Sequence, residues 1–548
     1  MVVYATILPE VVLIGTALFL VLLGFVTQRR PGILWGIAMG ALLFASFLTI
    51  DMMFASVRPG GSLLALFGLD LYEAGGATLG VQRFADLHLA KDLFSLFFHL
   101  VFLLVAFLAI LASRSYVKKE EPHQAEYYAL LFLSVVGMMF VAEATDLFVL
   151  FLAFELSTLS TFALVAFRKK DARATEAAAK FFVIGAVSSA IILFGISLIY
   201  GVTGAATGTP TTDLWMTSTN GVLTSPMSTA MAVGSAQGYG PTIVIAIVFL
   251  IAGFGFKVAT VPFHQWAPDV YEGSPDTITV FLAAGTKKVG VLAFFKVFLV
   301  GLAGVTGDWI FALALVAIIT QTVGNVLAIP QRSVKRMLAY SSIAQAGYIL
   351  TAIIVATVAY DASRGGFVTG PARAEDSKRW EIATYAIAGG LYHILTHAIM
   401  KGGAFLAVSA ASAHVGDRIE DFKGLARKMP FVAVALSIFL LSLAGIPFFG
   451  GFFSKFVLFS SAVYATQYNG WMLWLAVSGV LNSALSLYYY ARVIRFMVIE
   501  EEKPAKLKVP APMLLAIGLA LFGIIITGLL AWPFFGAAQE AGRAFLPR

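Results

Sequence analysis

Lys257 lies near the end of the run from Ile243 to Pro262, a stretch apolar enough to cross a bilayer. Insertion scales put the cost of a lysine at the centre of a membrane helix at roughly 2.5–3.5 kcal/mol. Glu155, Lys287, Lys288, His393, His397, Lys401 and Lys455 repeat the pattern, each inside or at the edge of another apolar span. Ionisable groups at that depth mark ion or proton pathways. A buried lysine can take up and release a proton as its surroundings change. Glu155 is the anionic partner expected for Lys257: close by, a carboxylate holds the ammonium, and its withdrawal releases the proton. The alternative is a static ion pair that only fixes helix packing.

Neighbours on a helix point about 100° apart, so one of Lys287 and Lys288 is expected to face the polar interior. Lys287 is that one; Lys288 either snorkels or lines the same cavity. His393, His397 and Lys401 are spaced four and four. They share one helix face at intervals of roughly 6 Å, as a ladder of titratable groups. A proton relay, a metal or haem site, and packed neutral histidines all fit that spacing. Lys455 is read as an exit group or as a lysine snorkelling from a helix end. Glu176 and Lys180, at i and i+4, either support their helix or send Lys180 inward. Glu143 borders a short turn, and its closeness to Glu155 keeps an accessory role open.

The elements that hold these groups follow from composition. The chain has 548 residues, of which 59% are hydrophobic and only 12% charged, with a mean hydropathy of +0.89. Soluble domains are typically about 25% charged, so the class is an all-α polytopic membrane protein. With no cysteine in the sequence, disulfides, thiolate metal sites and cysteine-ligated iron–sulfur clusters are excluded. The net charge of +7 reflects the Lys/Arg excess of cytoplasmic loops and not nucleic-acid binding. P-loop, Rossmann and nucleophile-elbow signatures are absent, so no redox or hydrolytic step is expected in this chain alone.

A crossing needs about 20 apolar residues, and counting such runs gives about fourteen transmembrane helices. The first, 7–26, has Glu10 and no basic residue ahead of it, so it does not read as a cleaved signal peptide. The run 384–412 is too long for one straight crossing. In the run 431–466, Ala444-Gly-Ile-Pro447-Phe-Phe-Gly450-Gly451 should break the helix, as should Thr260-Val-Pro262 after Lys257. Two discontinuous helices five spans apart hint at inverted repeats, a sequence pointer to a transport site. Arg29, Arg30, Arg114, Lys118, Lys119, Arg168, Lys169, Lys170, Arg173, Arg332, Lys335, Arg336, Arg418, Lys423, Arg427, Lys428, Lys503, Lys506 and Lys508 fall on one side of this arrangement. That side is expected to be cytoplasmic. Both termini then lie outside the cell membrane, with 202–241 as a long, nearly uncharged outer loop.

Val261-Pro-Phe-His-Gln-Trp-Ala-Pro-Asp-Val-Tyr-Glu-Gly-Ser-Pro275 resembles the signature of the antiporter-like subunits of complex I, most closely the subunit N type of NADH-quinone oxidoreductase. Phe154-Glu155-Leu-Ser, the segment from Glu176 to Ser189, the segment from Lys335 to Tyr348, and Leu443-Ala-Gly-Ile-Pro447 with Lys455 support the resemblance. It implies two inverted five-helix repeats at 125–301 and 309–496, preceded by helices in 1–124 and followed by one in 497–548. It implies proton translocation coupled to quinone reduction in a larger assembly, with flavin and iron–sulfur clusters in partner subunits and no cofactor here. By motif, Glu155 and Lys257 match the acid–base pair of the first half-channel, Lys287 the connecting lysine and Lys455 the terminal lysine. The His393–His397–Lys401 ladder departs from bacterial subunit N and suggests a divergent lineage, such as an archaeal deazaflavin-coenzyme dehydrogenase that reduces methanophenazine. The rival reading is a cation/proton antiporter, alone or within a multi-subunit Na+/H+ antiporter.

Overall fold

The computed structural model describes residues 6–27, 31–57, 62–63, 82–84, 87–120, 123–219, 222–361, 365–368, 374–500 and 507–546. Of the basic residues used for orientation, Arg29, Arg30, Lys503 and Lys506 lie outside these, as do the side chains of Lys118 and Lys119.

Helices dominate because apolar runs in a bilayer must satisfy their backbone groups internally. They are α1 (Leu8–Thr27), α2 (Pro31–Val57), α3 (Leu93–Glu120), α4 (Gln124–Glu143), α5 (Leu147–Val165), α6 (Ala172–Thr207), α7 (Gly240–Val258), α8 (Trp266–Gly273) and α9 (Asp276–Gly301). There follow α10 (Thr306–Ala328), α11 (Val334–Ala356), α12 (Ala374–Val415), α13 (Pro430–Ala444), α14 (Gly450–Ala465), α15 (Leu473–Val498), α16 (Ala511–Leu529) and α17 (Ala531–Phe545). Among the described residues, 13 helices are long and apolar enough to cross a membrane. The remaining expected crossing is the pair α13 and α14.

That pair is the second discontinuous helix. Gly445 adopts φ +87, and its N–H caps the carbonyls of Leu441 and Ser442. Glycine accepts a left-handed conformation without a Cβ penalty. Phe448 also takes a positive φ, of 77°. The two halves then press together: a Cβ on Gly451 would meet the Ser442 carbonyl oxygen at 2.0 Å. The first discontinuous helix ends at Val258. Ala259 turns left-handed with φ +60, and the chain resumes as α8.

The 384–412 run, too long for one straight crossing, lies within an uninterrupted helix of 42 residues, α12. One expectation is corrected. The 202–241 segment is not a loop throughout. Helix α6 continues to Thr207, and a helical hairpin arm begins at Pro226, capped by Ser225 and kinked at Gly238 (φ +97) before α7. Only the part between forms strands: β1 (Thr217–Thr219) pairs with β2 (Val222–Thr224).

Contacts between connections sort them into two ends. At one, Ser333 bridges Arg418, the Gly424 amide donates to Phe496, the Leu507 amide donates to Lys428, and Lys423 pairs with Glu500 at 3.5 Å. This end is basic. At the other, Leu89 bridges Ala144, Asp146 bridges Asp213, and β2 pairs with the segment Gly366–Val368. The charge asymmetry read from the sequence is therefore gathered in space.

Candidate functional site

Helix α5 begins at Asp146, whose carboxylate accepts from the Phe148 and Val149 amides. Two turns on, half-buried Glu155 accepts a hydrogen bond from the Ser189 hydroxyl of α6 at 2.7 Å. Thr158 follows one turn later, and its hydroxyl accepts from Lys257 Nζ at 2.8 Å. Lys257 is 1% exposed in the last turn of α7 and stands 5.5 Å above the Phe154 ring. Among the described residues no direct Glu155–Lys257 ion pair forms. The expected contact is divided between two hydroxyls, because Glu155 points toward α6 at the edge of the bundle. The break that holds Lys257 is itself pinned: Trp266 Nε1 donates to the Phe256 carbonyl at 2.8 Å, and the Val261 amide to Thr320 Oγ1 at 3.0 Å.

Helix α9 is buried on all sides, so both lysines of its pair are inside, at 3% and 1% exposure. The five residues before them, Leu282–Thr286, are wound as a π-turn. Such turns shift the face of every later residue and recur at functional sites. Lys287 Nζ has no hydrogen-bond partner and sits 5.2 Å from the Tyr271 ring. It is Lys288, not Lys287, that touches the histidine ladder: its Nζ meets His397 Nδ1. Of the two alternatives left for Lys288, snorkelling or facing inward, the structure has it inside together with Lys287. Gly290 lets α7 and α9 approach, since a Cβ there would meet Lys257 Cβ at 3.1 Å.

The ladder continues along α12. The rings of His397 and His393 are 6.2 Å apart. His393 Nδ1 is 2.9 Å from Ser454 Oγ, and its Nε2 is 2.9 Å from Gln345 Oε1. The amide of Gln345 donates to the Leu443 carbonyl at 3.2 Å. Lys455 Nζ donates to that same carbonyl at 2.7 Å and to Ser483 Oγ at 2.9 Å. A polar row therefore runs from Lys288 through His397, His393 and Gln345 to Lys455. Lys401 branches from it, donating to Ser341 Oγ at 2.6 Å and to the Leu338 carbonyl at 3.1 Å. Because both ring nitrogens of His393 are engaged by a hydroxyl and an amide, the ladder has no pair of free imidazoles to offer a haem or a metal.

Two residues lie away from this row. Lys180 is on the surface, pairing with Glu176 at 2.7 Å and Asp269 at 2.8 Å. Arg336 adds contacts to Asp269 at 2.7 Å and Glu272 at 2.9 Å, so this network ties α6, α8 and α11 at the basic end. Burial would raise the Asp269 carboxyl, but hydrogen bonds from Lys180 and Arg336 hold it below the usual carboxylate range. Glu143 is buried with Lys91 at 2.8 Å, at the other end of the molecule. Sequence reasoning missed Thr158, Ser341, Gln345, Ser454 and Tyr271. Neutral polar residues in apolar helices carry little signal individually, although each lies on the face turned toward a charge.

The family described as NADH:quinone oxidoreductase/Mrp antiporter, TM matches residues 144–367 and 381–483. The chain is 40% identical to "F(420)H(2) dehydrogenase subunit N" of Methanosarcina mazei, over 98% of both chains. It is 36% identical to "NADH-quinone oxidoreductase subunit N" of Trichlorobacter lovleyi, covering 88% of this chain and 89% of that one. A chain of respiratory complex I from Thermus thermophilus superposes with a TM-score of 0.69 at 25% identity, covering 96% of this chain and 98% of the other.

Proposed function

Because the chain belongs to the NADH:quinone oxidoreductase/Mrp antiporter membrane family, we propose that its charge row is the proton path of a complex I-like oxidoreductase. The chain is a multi-pass membrane-arm subunit, and it couples reduction of a quinone or methanophenazine to H+ pumping. Other membrane subunits flank it; flavin and iron–sulfur clusters belong to partners, and quinone is reduced in neighbouring subunits. The basic end faces the cytoplasm, by the Lys/Arg bias of loops, which puts both termini outside the cell membrane. The segments 125–301 and 309–496 act as inverted half-channels, each opened by one broken helix.

A proton from the basic side loads Lys257 or Lys287. It passes to Lys288 and His397, along His393 and Gln345, and reaches Lys455, from which it leaves. Lys401 stands one turn beyond His397 on the same helix, bonded to Ser341 and the Leu338 carbonyl. Glu155 sets whether Lys257 keeps its proton. Since a switch needs differential interaction between two states, redox energy released in partner subunits must move Glu155 or the Ser189 and Thr158 hydroxyls. Carrying one charge across 100 mV costs about 2.3 kcal/mol. One pKa unit is about 1.36 kcal/mol, so a modest change in the interaction between Glu155 and Lys257 suffices to gate each transfer.

The observation that carries this reading is the buried row of polar groups from Lys288 to Lys455, hydrogen-bonded except across the 6.2 Å between the two histidine rings, inside an otherwise apolar bundle. Proton uptake during quinone reduction, measured on the assembled complex in vesicles, tests it. Lys257→Ala should leave assembly intact and abolish uptake; wild-type pumping in that variant would refute the path. The antiporter reading is separated by the proteins that co-purify, since redox subunits are required here and absent there.

A further inference from the structure

A second group of ionisable side chains lies at the non-basic end, apart from the row just described. Glu10 of α1, Lys91 of the short strand Leu89–Lys91, His99 of α3 and Glu143 of α4 are all buried, none more than 2% exposed. Lys91 Nζ reaches Glu143 Oε1 at 2.8 Å and the two oxygens of Glu10 at 3.1 and 3.2 Å, and it also donates to the Thr6 carbonyl. His99 stands between the acids, with Nδ1 3.4 Å from Glu10 and Nε2 3.3 Å from Glu143. That Nδ1 makes no hydrogen bond, although it is fully enclosed. One donor atom each from Glu10, His99 and Glu143 falls within 4.8 Å of the others.

At the rim, Lys296 of α9 donates to the Ala144 carbonyl at 2.8 Å and lies within electrostatic reach of half-buried Asp92 and of Glu143. Lys296 and Asp92, both among the described residues, carry opposite charges without forming a direct ion pair. The enclosed core is unbalanced: two carboxyls face one ammonium and one imidazole. It is neutral only when one further proton is bound, by His99 or by either acid, and an uncompensated buried charge is strongly destabilising. The ammonium already fills the centre, so a metal ion has no place among these ligands.

We propose that Glu10, Lys91, His99 and Glu143 form an additional proton-exchange site. It takes one proton from the channel side by way of Lys296 and gives it up through Asp92 at the non-basic surface. Lys296 stands two turns beyond Lys288 on α9, roughly 12 Å along the axis, so one helix carries a station of the main row and the rim of this cluster. In the loaded state the proton bonds to a Glu143 oxygen or to His99. On release that O–H or N–H bond breaks, the proton passes to Asp92 and then to water, and the core is left with one negative charge. The chemistry is proton transfer alone.

This inference rests on the reading of the chain as a proton-translocating subunit, and its test is arranged to fail separately. In the assembled complex in vesicles, Glu143→Gln should slow redox-driven proton release about tenfold or more, the scale of a lost general acid or base. Glu143→Asp, which keeps a titratable carboxyl, should retain most of the release. Wild-type release in Glu143→Gln, or an equal loss in Glu143→Gln and Glu143→Asp, overturns the proposal and leaves a packing ion pair. If Glu143→Gln does not assemble, Glu10→Gln, with Glu10→Asp, is read in the same way. Loss of pumping in Lys257→Ala beside normal pumping in Glu143→Gln would reject this site and keep the main path.

Discussion

The two broken helices solve the same problem differently. At the first, Lys257 precedes the break and is held by a side chain, the Thr158 hydroxyl, with Glu155 one turn away. At the second, Lys455 follows the break and is held by the backbone, donating to the carbonyls of Leu443 and Ala444 at the end of α13. Those carbonyls carry the negative end of a helix dipole, so Lys455 has a fixed partner. Lys257 has a partner that can rotate or withdraw. One lysine is suited to be switched and the other to be a constant acceptor.

The largest expected effect touches both. Lys257→Ala and Lys455→Ala should each lower coupled quinone reduction about tenfold or more, read as turnover of the assembled complex. The stabilities should then diverge. Lys455→Ala leaves buried carbonyls with fewer donors, a loss of about 1–3 kcal/mol, whereas Lys257→Ala removes a buried cation whose partner is only a hydroxyl. Thermal unfolding of the two variants measures this, and equal losses would break the comparison. The backbone at the breaks offers a third contrast. Gly445→Ala forces a side chain into a left-handed residue at about 1–2 kcal/mol, while Ala259→Gly relieves such a residue and should not lower the unfolding temperature.

A smaller effect sharpens the first site. Thr158→Val removes one hydrogen bond to Lys257, worth about 1 kcal/mol, and should slow turnover several-fold, with Thr158→Ser close to wild type. The smallest concerns pH. Asp269 is held below its unfolded value, near 3.9, so its contribution to stability is present above that value and lost as pH falls through the folded one. Asp269→Asn should therefore lower the unfolding temperature slightly at neutral pH and match wild type in strong acid.

Much of the main row was legible in the sequence, because a lysine or histidine in an apolar run stands out against its surroundings. Lys257, His393, His397, Lys401 and Lys455 were found that way, and Pro262 and Pro447 marked the breaks. The sequence leaves Lys288 either snorkelling or facing inward beside Lys287, and it does not show that the helix is buried on all sides, nor that a π-turn lies over Leu282-Ala-Ala-Gly-Thr286. The cluster around Glu143 was missed although two members obeyed the same rule: Glu10 and His99 each lie in an apolar span. Lys91 sits outside any such span, and only tertiary packing brings it between the two acids.

The 42-residue length of α12 has a mechanical meaning. At 1.5 Å per residue it is a rod of about 63 Å, roughly twice the thickness of the hydrocarbon layer. His393, His397 and Lys401 are rungs on that single shaft, so they cannot be repositioned one at a time without unwinding it. Any displacement of that helix as a body therefore carries all three groups together.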